Sequence, residues 1–352
     1  MSRARDLADL GGSADAGGLT GANALINGQF AVAQRGTSFT SGSNNDTDYT
    51  LDRWKLFSDG NDVVDVTQET STVPTNRQTA LALDVETANK KFGIAQIIEQ
   101  KNCVNLIGET VTLSFQAKVS ATTNLDNVKA AIIAWDGTAD TVTSDMISAW
   151  GAEGTDPTLA TNFTYENTPA NLNLTTSYAT YSVTASVDTA SAKNIIVFIW
   201  SDVTTTSAGE FLYLSDVKLE AGQTATPFEH RSYGEELARC QRYYYKISNL
   251  FGVGYANNNQ QGNVNLPLPV RMRTNPTAID TTGTASDYEL RTATADRACT
   301  SVPTIASSNY DSTDLGYVVF TVTGGNLANN DACIARGATG DTGAYIGFIA
   351  EL

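Results

Sequence analysis

The sequence predicts a mainly β protein built as a β-sandwich, a short helix and a smaller C-terminal β-sandwich. Three observations predict it. Thr, Ser, Asn, Asp and Gly are abundant, several segments alternate apolar and polar residues with period two, and helical periodicity is confined to a few short pieces. A chain of 352 residues can bury two cores of ordinary domain size.

Residues 2–10 set Leu7 and Leu10 among alternating charges, enough for one or two helical turns that cannot stand alone. Residues 11–21 read as a Gly, Ser and Ala linker. Leu25 to Phe30 opens the first module, where Trp54 is expected to anchor the core rather than offer a sugar platform beside Arg53. Along residues 110–119, Val111, Leu113, Phe115, Ala117 and Val119 share one face, and polar residues share the other. That is a half-buried antiparallel strand. Residues 178–187 repeat the pattern, with Ala179, Tyr181, Val183, Ala185 and Val187 facing inward, while residues 195–200 are apolar throughout and belong at a sheet centre.

Residues 210–220 read as one strand with Phe211, Tyr213, Ser215, Val217 and Leu219 on one side and Leu212, Leu214, Asp216 and Lys218 on the other. Gly222 breaks it, and Pro227 pushes Thr226 toward an extended conformation. Ser232, three before Glu235, then marks a helix start, and Leu237, Cys240, Tyr244 and Ile247 share one face of a helix of about three turns. The second module follows, with strands expected at 264–268, 317–322 and 344–352. The resulting division is 1–24, 25–230, 231–248 and 249–352.

A formal net charge of -16 opposes nucleic acid and anionic membrane surfaces as partners. No run approaches the length of a membrane span. Cys103, Cys240, Cys299 and Cys333 are widely spaced, without the C-x-x-C pairs of a zinc site, and fit a protein folded in a reducing cytoplasm. His230 is the only histidine and has no G-x-S-x-G nucleophile to serve, so the expectation is a non-enzyme. Residues 133–176 are the longest irregular stretch. They carry Trp135, Asp136, Trp150 and Tyr165, aromatic faces and a carboxylate of the kind that stack on and hydrogen-bond sugars. The competing reading makes Trp135 the end of a core strand and packs Trp150 over a sheet edge.

The run Tyr213-Leu214-Ser215-Asp216-Val217-Lys218-Leu219-Glu220-Ala221-Gly222, followed by Ala225 to Tyr244, resembles a signature of bacteriophage tail-fibre-like virion proteins. Residues 25–30, 34–39, 49–54, 96–99 and 108–118 look like the same family, so the resemblance covers roughly 25–246; the 269–276 pattern and the terminal Ala350-Glu351-Leu352 also look like these proteins. It implies a carbohydrate-binding-module-like jelly-roll β-sandwich ahead of the helix. It further implies a homotrimer with Leu237, Cys240, Tyr244 and Ile247 at its axis, and an N-terminal segment that joins other virion proteins. Jelly rolls of this kind often hold a structural calcium, for which Asn27, Asp52 and Asp216 are the candidate oxygen ligands, unless the two aspartates are ordinary turn and edge acids. The expected role is a tail fibre that attaches the virion to a host-surface glycan. A head fibre or capsid-decorating protein is the alternative, and a surface-polysaccharide-cleaving enzyme the second.

Overall fold

The computed structural model describes residues 22–142, 145–276, 278–293, 295–305, 312–325, 327–339 and 343–352. The expected N-terminal turns and linker, residues 2–21, lie outside them. The chain forms two compact units, one ending at Tyr233 and also holding Leu352, the other running Gly234–Glu351.

The first unit is a jelly-roll β-sandwich. Its strands are β1 (Ser38–Phe39), β2 (Lys55–Ser58), β3 (Val64–Glu69), β4 (Ala80–Val85), β5 (Phe92–Ile98), β6 (Thr110–Val119), β7 (Val128–Trp135), β8 (Ile147–Ala149), β9 (Thr158–Leu159), β10 (Phe163–Tyr165), β11 (Ala179–Ser186), β12 (Asn194–Ser201) and β13 (Phe211–Ala221), with α1 (Gln100–Cys103) after β5. They pair as a six-stranded sheet, β1-β3-β4-β13-β6-β11, and a five-stranded sheet, β10-β7-β12-β5-β2. The apolar run of residues 195–200 makes β12 the middle strand of the latter. Between the sheets lies one core that takes the inward rows of β6 and β12 together with Trp54, which is fully buried and donates from Nε1 to the Asn27 carbonyl at 3.0 Å.

Strand β13 departs from simple alternation. Leu212 and Leu214 face the core, and so do Val217 and Leu219. The parity changes because the register shifts between Ser215 and Lys218, where Asp216 takes the left-handed conformation, φ 52°. One extra residue at a bulge sends the rest of the strand to the opposite face, so the two sides expected for 210–220 exchange partway along.

The backbone groups freed by the bulge are satisfied by residues 23–28. Val217 N donates to Gly28 O at 2.9 Å, Asn23 Nδ2 donates to Val217 O at 3.0 Å, and Ala24 N donates to Leu219 O at 2.9 Å. The approach is close enough that a Cβ on Gly28 would lie 2.1 Å from Val217 O. Only glycine fits there. Arg231 then ties the same segment down through Leu25 O, 2.9 Å, and Asn23 O.

The outward side of β13 carries charge, yet Lys218 and Glu220 are buried. They pair at 3.1 Å under the turn that follows, with Lys218 Nζ donating to Pro227 O at 3.0 Å and Thr226 N donating to Glu220 Oε1 at 2.8 Å.

The second unit contains most of α2 (Tyr233–Gln241), then β14 (Tyr244–Ser248), β15 (Leu250–Ala256), β16 (Gln261–Pro267), β17 (Ala278–Thr281), β18 (Tyr288–Arg291), β19 (Asp296–Ala298), β20 (Thr304–Ile305), β21 (Leu315–Thr321), β22 (Ala332–Gly337) and β23 (Tyr345–Ile349). Its sheets are β14-β23-β17 and β19-β18-β22-β15-β16-β21-β20, packed around Phe251, Val264, Tyr288, Phe320, Ile346 and Phe348. The helix is shorter than the expected 231–248. Tyr244 and Ile247 stand on β14, opposite Ile349 and Ile346, while Leu237 and Cys240 remain on α2. Three consecutive tyrosines, 243–245, favour a strand, and pairing with β23 supplies it with backbone partners. The four residues therefore form no continuous helical stripe. Among the described residues no helix is long and apolar enough to cross a membrane.

Two outcomes follow from the first unit. Asp216 is 4% exposed and pairs with Arg77 at 2.8 Å. Asp216→Ala should lower the stability of this unit by about 3 kcal/mol, because it strands the guanidinium. Asp216→Asn, which tolerates the left-handed backbone, should cost less; denaturant unfolding measures both. Asp65 and Asp84 face each other across β3 and β4, and both carboxyls are raised above their ordinary 3.8, first by burial and then by Glu86 and other neighbouring carboxylates. A raised carboxyl favours the protonated folded form, so its stabilisation is complete at low pH and is lost as pH rises through the folded value. Asp84→Asn should raise Tm at pH 7, and the gain should vanish below the ordinary aspartate range.

Candidate functional site

Alternation on β12 sends Ile195, Val197 and Ile199 into the sandwich and Ile196, Phe198 and Trp200 to the outer face. The segment between β7 and β10 folds back over that face and makes a second core from Met146, Ile147 and Phe163 with Trp135 and Trp200. Trp135 is 3% exposed, packs 4.6 Å from the Phe163 ring and donates from Nε1 to Thr138 O at 2.9 Å. Neither face of its ring is open to a sugar. Trp150 is half-buried, 6.1 Å from Phe198. Tyr165 is half-buried, donates to Pro157 O at 2.8 Å, and has its phenol pushed up by burial and by Asp156 and Asp202. Asp136 is exposed. Three of the four residues expected to bind glycan thus belong to a packed layer, because the irregular stretch carries enough apolar side chains to cover the sheet.

Charged side chains anchor that cover from below. Lys91, just before β5, and Asp202, just after β12, are buried and pair at 2.5 Å; Lys129 on β7 reaches Asp202 at 3.0 Å and Asp156 at 2.7 Å. Lys91 Nζ also donates to Ala152 O at 2.8 Å and Thr155 O at 3.2 Å, and Gly154 N donates to Asp202 Oδ2 at 2.9 Å. The Lys129 ammonium is raised by Asp156 and Asp202 against the opposing effect of burial. The arrangement fixes a loop, and its donors and acceptors are turned toward one another.

The expected calcium ligands do not fit a cation. Both oxygens of Asp216 accept from Arg77 Nε at 2.8 Å, and Gln29 and Gln116 add donors at 3.0 and 2.6 Å. Asp52 accepts twice from Gln34, at 2.6 and 2.5 Å, and Asn27 Nδ2 donates to Val32 O and Asp52 O. A cation would meet N–H groups and a guanidinium already directed at these oxygens. Among the described residues no three Asp, Glu, His or Cys side chains are grouped to hold a metal. The four thiols are buried as well, with Cys103 and Cys299 pushed up to about 12 and Cys333 to about 11 by burial.

An open surface of the right chemistry lies in the second unit, on the outer face of its seven-stranded sheet. Phe251 and Ala256 of β15 point inward, while Val253 and Tyr255 point outward at 66% and 42% exposure. Val253 stands opposite Ile334 of β22 and Asn265 of β16; Tyr255 stands opposite Ala332 and Asn263. Beside them runs an open groove of about 660 Å³ lined by Val253, Ala332, Ile334, Arg291 and Thr292. A charged ladder borders it, Arg291 to Asp296 at 3.1 Å, Asp296 to Arg336 at 3.1 Å, and Arg336 to Glu289. The exposed Tyr255 ring and Asn265 amide beside the groove, with the Arg291 guanidinium in its lining, can stack on and hydrogen-bond a polyhydroxylated ligand. Sequence reasoning missed this strand. Its signal was weak, because Gly252 and Gly254 hide the alternation and a register shift between Leu250 and Gly252 turns Phe251 inward while Val253 and Tyr255, of the same parity, face out.

No family model matches the chain, and no curated protein matches it. Solved structures similar to it include the enzymatically active domain of tailspike protein 4 from bacteriophage CBA120, with 17% identity and a TM-score of 0.34 over 57% of this chain and 21% of that one. The CBM22-1 xylan-binding domain from Paenibacillus barcinonensis Xyn10C aligns at 14% identity and 0.31 over 58% of this chain and 98% of its own. A β-sandwich carbohydrate-binding module aligns at 11% and 0.34, over 51% and 62%. Identities this low transfer no residue role.

Asp202→Ala would leave two lysine ammonium groups under the loop without their shared counter-charge. It should destabilise the first unit by about 3 to 5 kcal/mol, and amide exchange should quicken first in residues 147–159.

Proposed function

We propose that the chain is a fibre-type component of a phage particle that attaches the particle to the host surface by binding glycan, without catalysis. In this reading it acts as a homotrimer, joins other virion proteins through its N-terminal segment, folds in the bacterial cytoplasm and resides on the virion. The resemblance of residues 213–244 to tail-fibre-like proteins supplies the setting. The observation that carries glycan binding is the open face of the second unit, where Tyr255, Asn265, Arg291 and the groove beside them expose an aromatic ring and polar donors together. Single sugar contacts of this kind are weak, and several linked sites would strengthen them.

The test is binding of the full chain to an array of bacterial surface glycans, together with competition against phage adsorption. Wild-type protein should bind a defined glycan and block adsorption. Tyr255→Ala should weaken binding about tenfold, the scale of one lost ring contact, while leaving thermal unfolding unchanged. Binding that survives Tyr255→Ala and Arg291→Ala together would remove this face from the reading. Protein that neither binds glycan nor competes with phage would remove the attachment role.

A further inference from the structure

Ten strands form sheet edges among the described residues, and nine of them are five residues or shorter: β1, β2, β8, β9, β10, β14, β17, β19 and β20. Several also carry a charge, such as Lys55 on β2, Lys246 on β14 and Asp280 on β17. Short and charged edges resist the addition of another strand. The remaining edge, β11, is built the other way. It is eight residues long, Ala-Thr-Tyr-Ser-Val-Thr-Ala-Ser, without charge, proline or bulge, and pairs in unbroken register with β6 on one side only. By antiparallel geometry about half of its residues turn their N–H and C=O groups away from β6.

The side chains tell the same story. On the inner face of the sandwich, Ala185 is buried, but Tyr181 and Val183 are only half-buried at the rim of the core. On the outer face Thr180, Ser182, Thr184 and Ser186 are exposed, and Thr184 and Ser186 already meet Thr112 and Thr110 hydroxyl to hydroxyl at 3.0 and 3.3 Å. An added strand would cover the two rim residues and continue the hydroxyl rows.

We propose that β11 is a pairing edge for β11 of a second copy of this chain, antiparallel about a two-fold axis, which joins two six-stranded sheets into one. The sequence is self-complementary in that arrangement. Centred on Ser182, each copy sets Tyr181 opposite the other's Val183 on the core side and Thr180 opposite the other's Thr184 on the outer side, with Ala179 opposite Ala185. Every pair from Ala179 to Ala185 is then apolar with apolar or hydroxyl with hydroxyl, and no charge opposes another within the strand. The surface lies in the first unit and does not depend on the glycan reading of the second.

Sedimentation of the full chain across micromolar concentrations, compared with Ser182→Lys and Ser182→Cys, tests the proposal. Wild type should show its smallest species pairing reversibly with concentration, a trimer passing to a hexamer if the three-fold assembly of the preceding reading holds and a monomer passing to a dimer if it does not. Ser182→Lys brings two ammonium groups together at the axis and should weaken that contact at least about tenfold. Ser182→Cys should give a covalent dimer on mild oxidation, which wild type, with its four thiols buried, should not. Circular dichroism establishes that the lysine variant is folded; if it is not, the cysteine variant decides alone. A wild-type species that never doubles at any concentration, a doubling indifferent to Ser182→Lys, or a Ser182→Cys chain that forms no 182–182 crosslink would each overturn the proposal.

Discussion

Asp216 sits at the one point where β13 leaves regular pairing, and its carboxylate gathers Arg77, Gln29 and Gln116 around a left-handed backbone. The rest of the first unit depends on that bulge. It flips the facing of the strand downstream, so that Val217 and Leu219 enter the core, and the backbone groups of Val217 and Leu219 on that side bond to residues 23–28. The start and the end of the unit are therefore joined through a single irregularity. Because Arg77 closes the charge, the irregularity is held in a low-dielectric setting rather than relaxed into solvent.

The same logic explains the run from Tyr213 to Arg231. Lys218, Glu220 and Thr226 form a satisfied polar layer under the following turn, and Arg231 grips the carbonyls of Asn23 and Leu25. Each of these side chains has a packing task. A stretch that reads as a signature is thus the device that closes the sandwich, and its chemistry is directed inward.

Closure on the other sheet decides where ligands can reach. An antiparallel sandwich ordinarily leaves its outer faces wet, yet Phe198 and Trp200 are sealed beneath Trp150 and the anchored loop above Lys91 and Asp202. Aromatic residues concentrated in an irregular stretch were a reasonable sign of a sugar platform. In the folded protein they serve that seal, and an exposed aromatic and aliphatic surface lies on β15 and β22, where Val253, Tyr255 and Ile334 face outward.

From its sequence alone, this chain determined the β class, the paired alternation of β6 and β11, the central place of β12, the buried Trp54 and the presence of a helix after Pro227. These are local properties, fixed by side-chain period and by turn chemistry within a few residues. Tertiary structure alone decided that β13 changes parity at Asp216, that Tyr244 and Ile247 leave the helix to pair with β23, and that Trp135 is sealed while Tyr255 is open. Each of those outcomes turns on a partner far away in sequence, whether Gly28, Ile349 or Phe163. A residue's period records which way it can point, and only the assembled neighbours settle what it meets there.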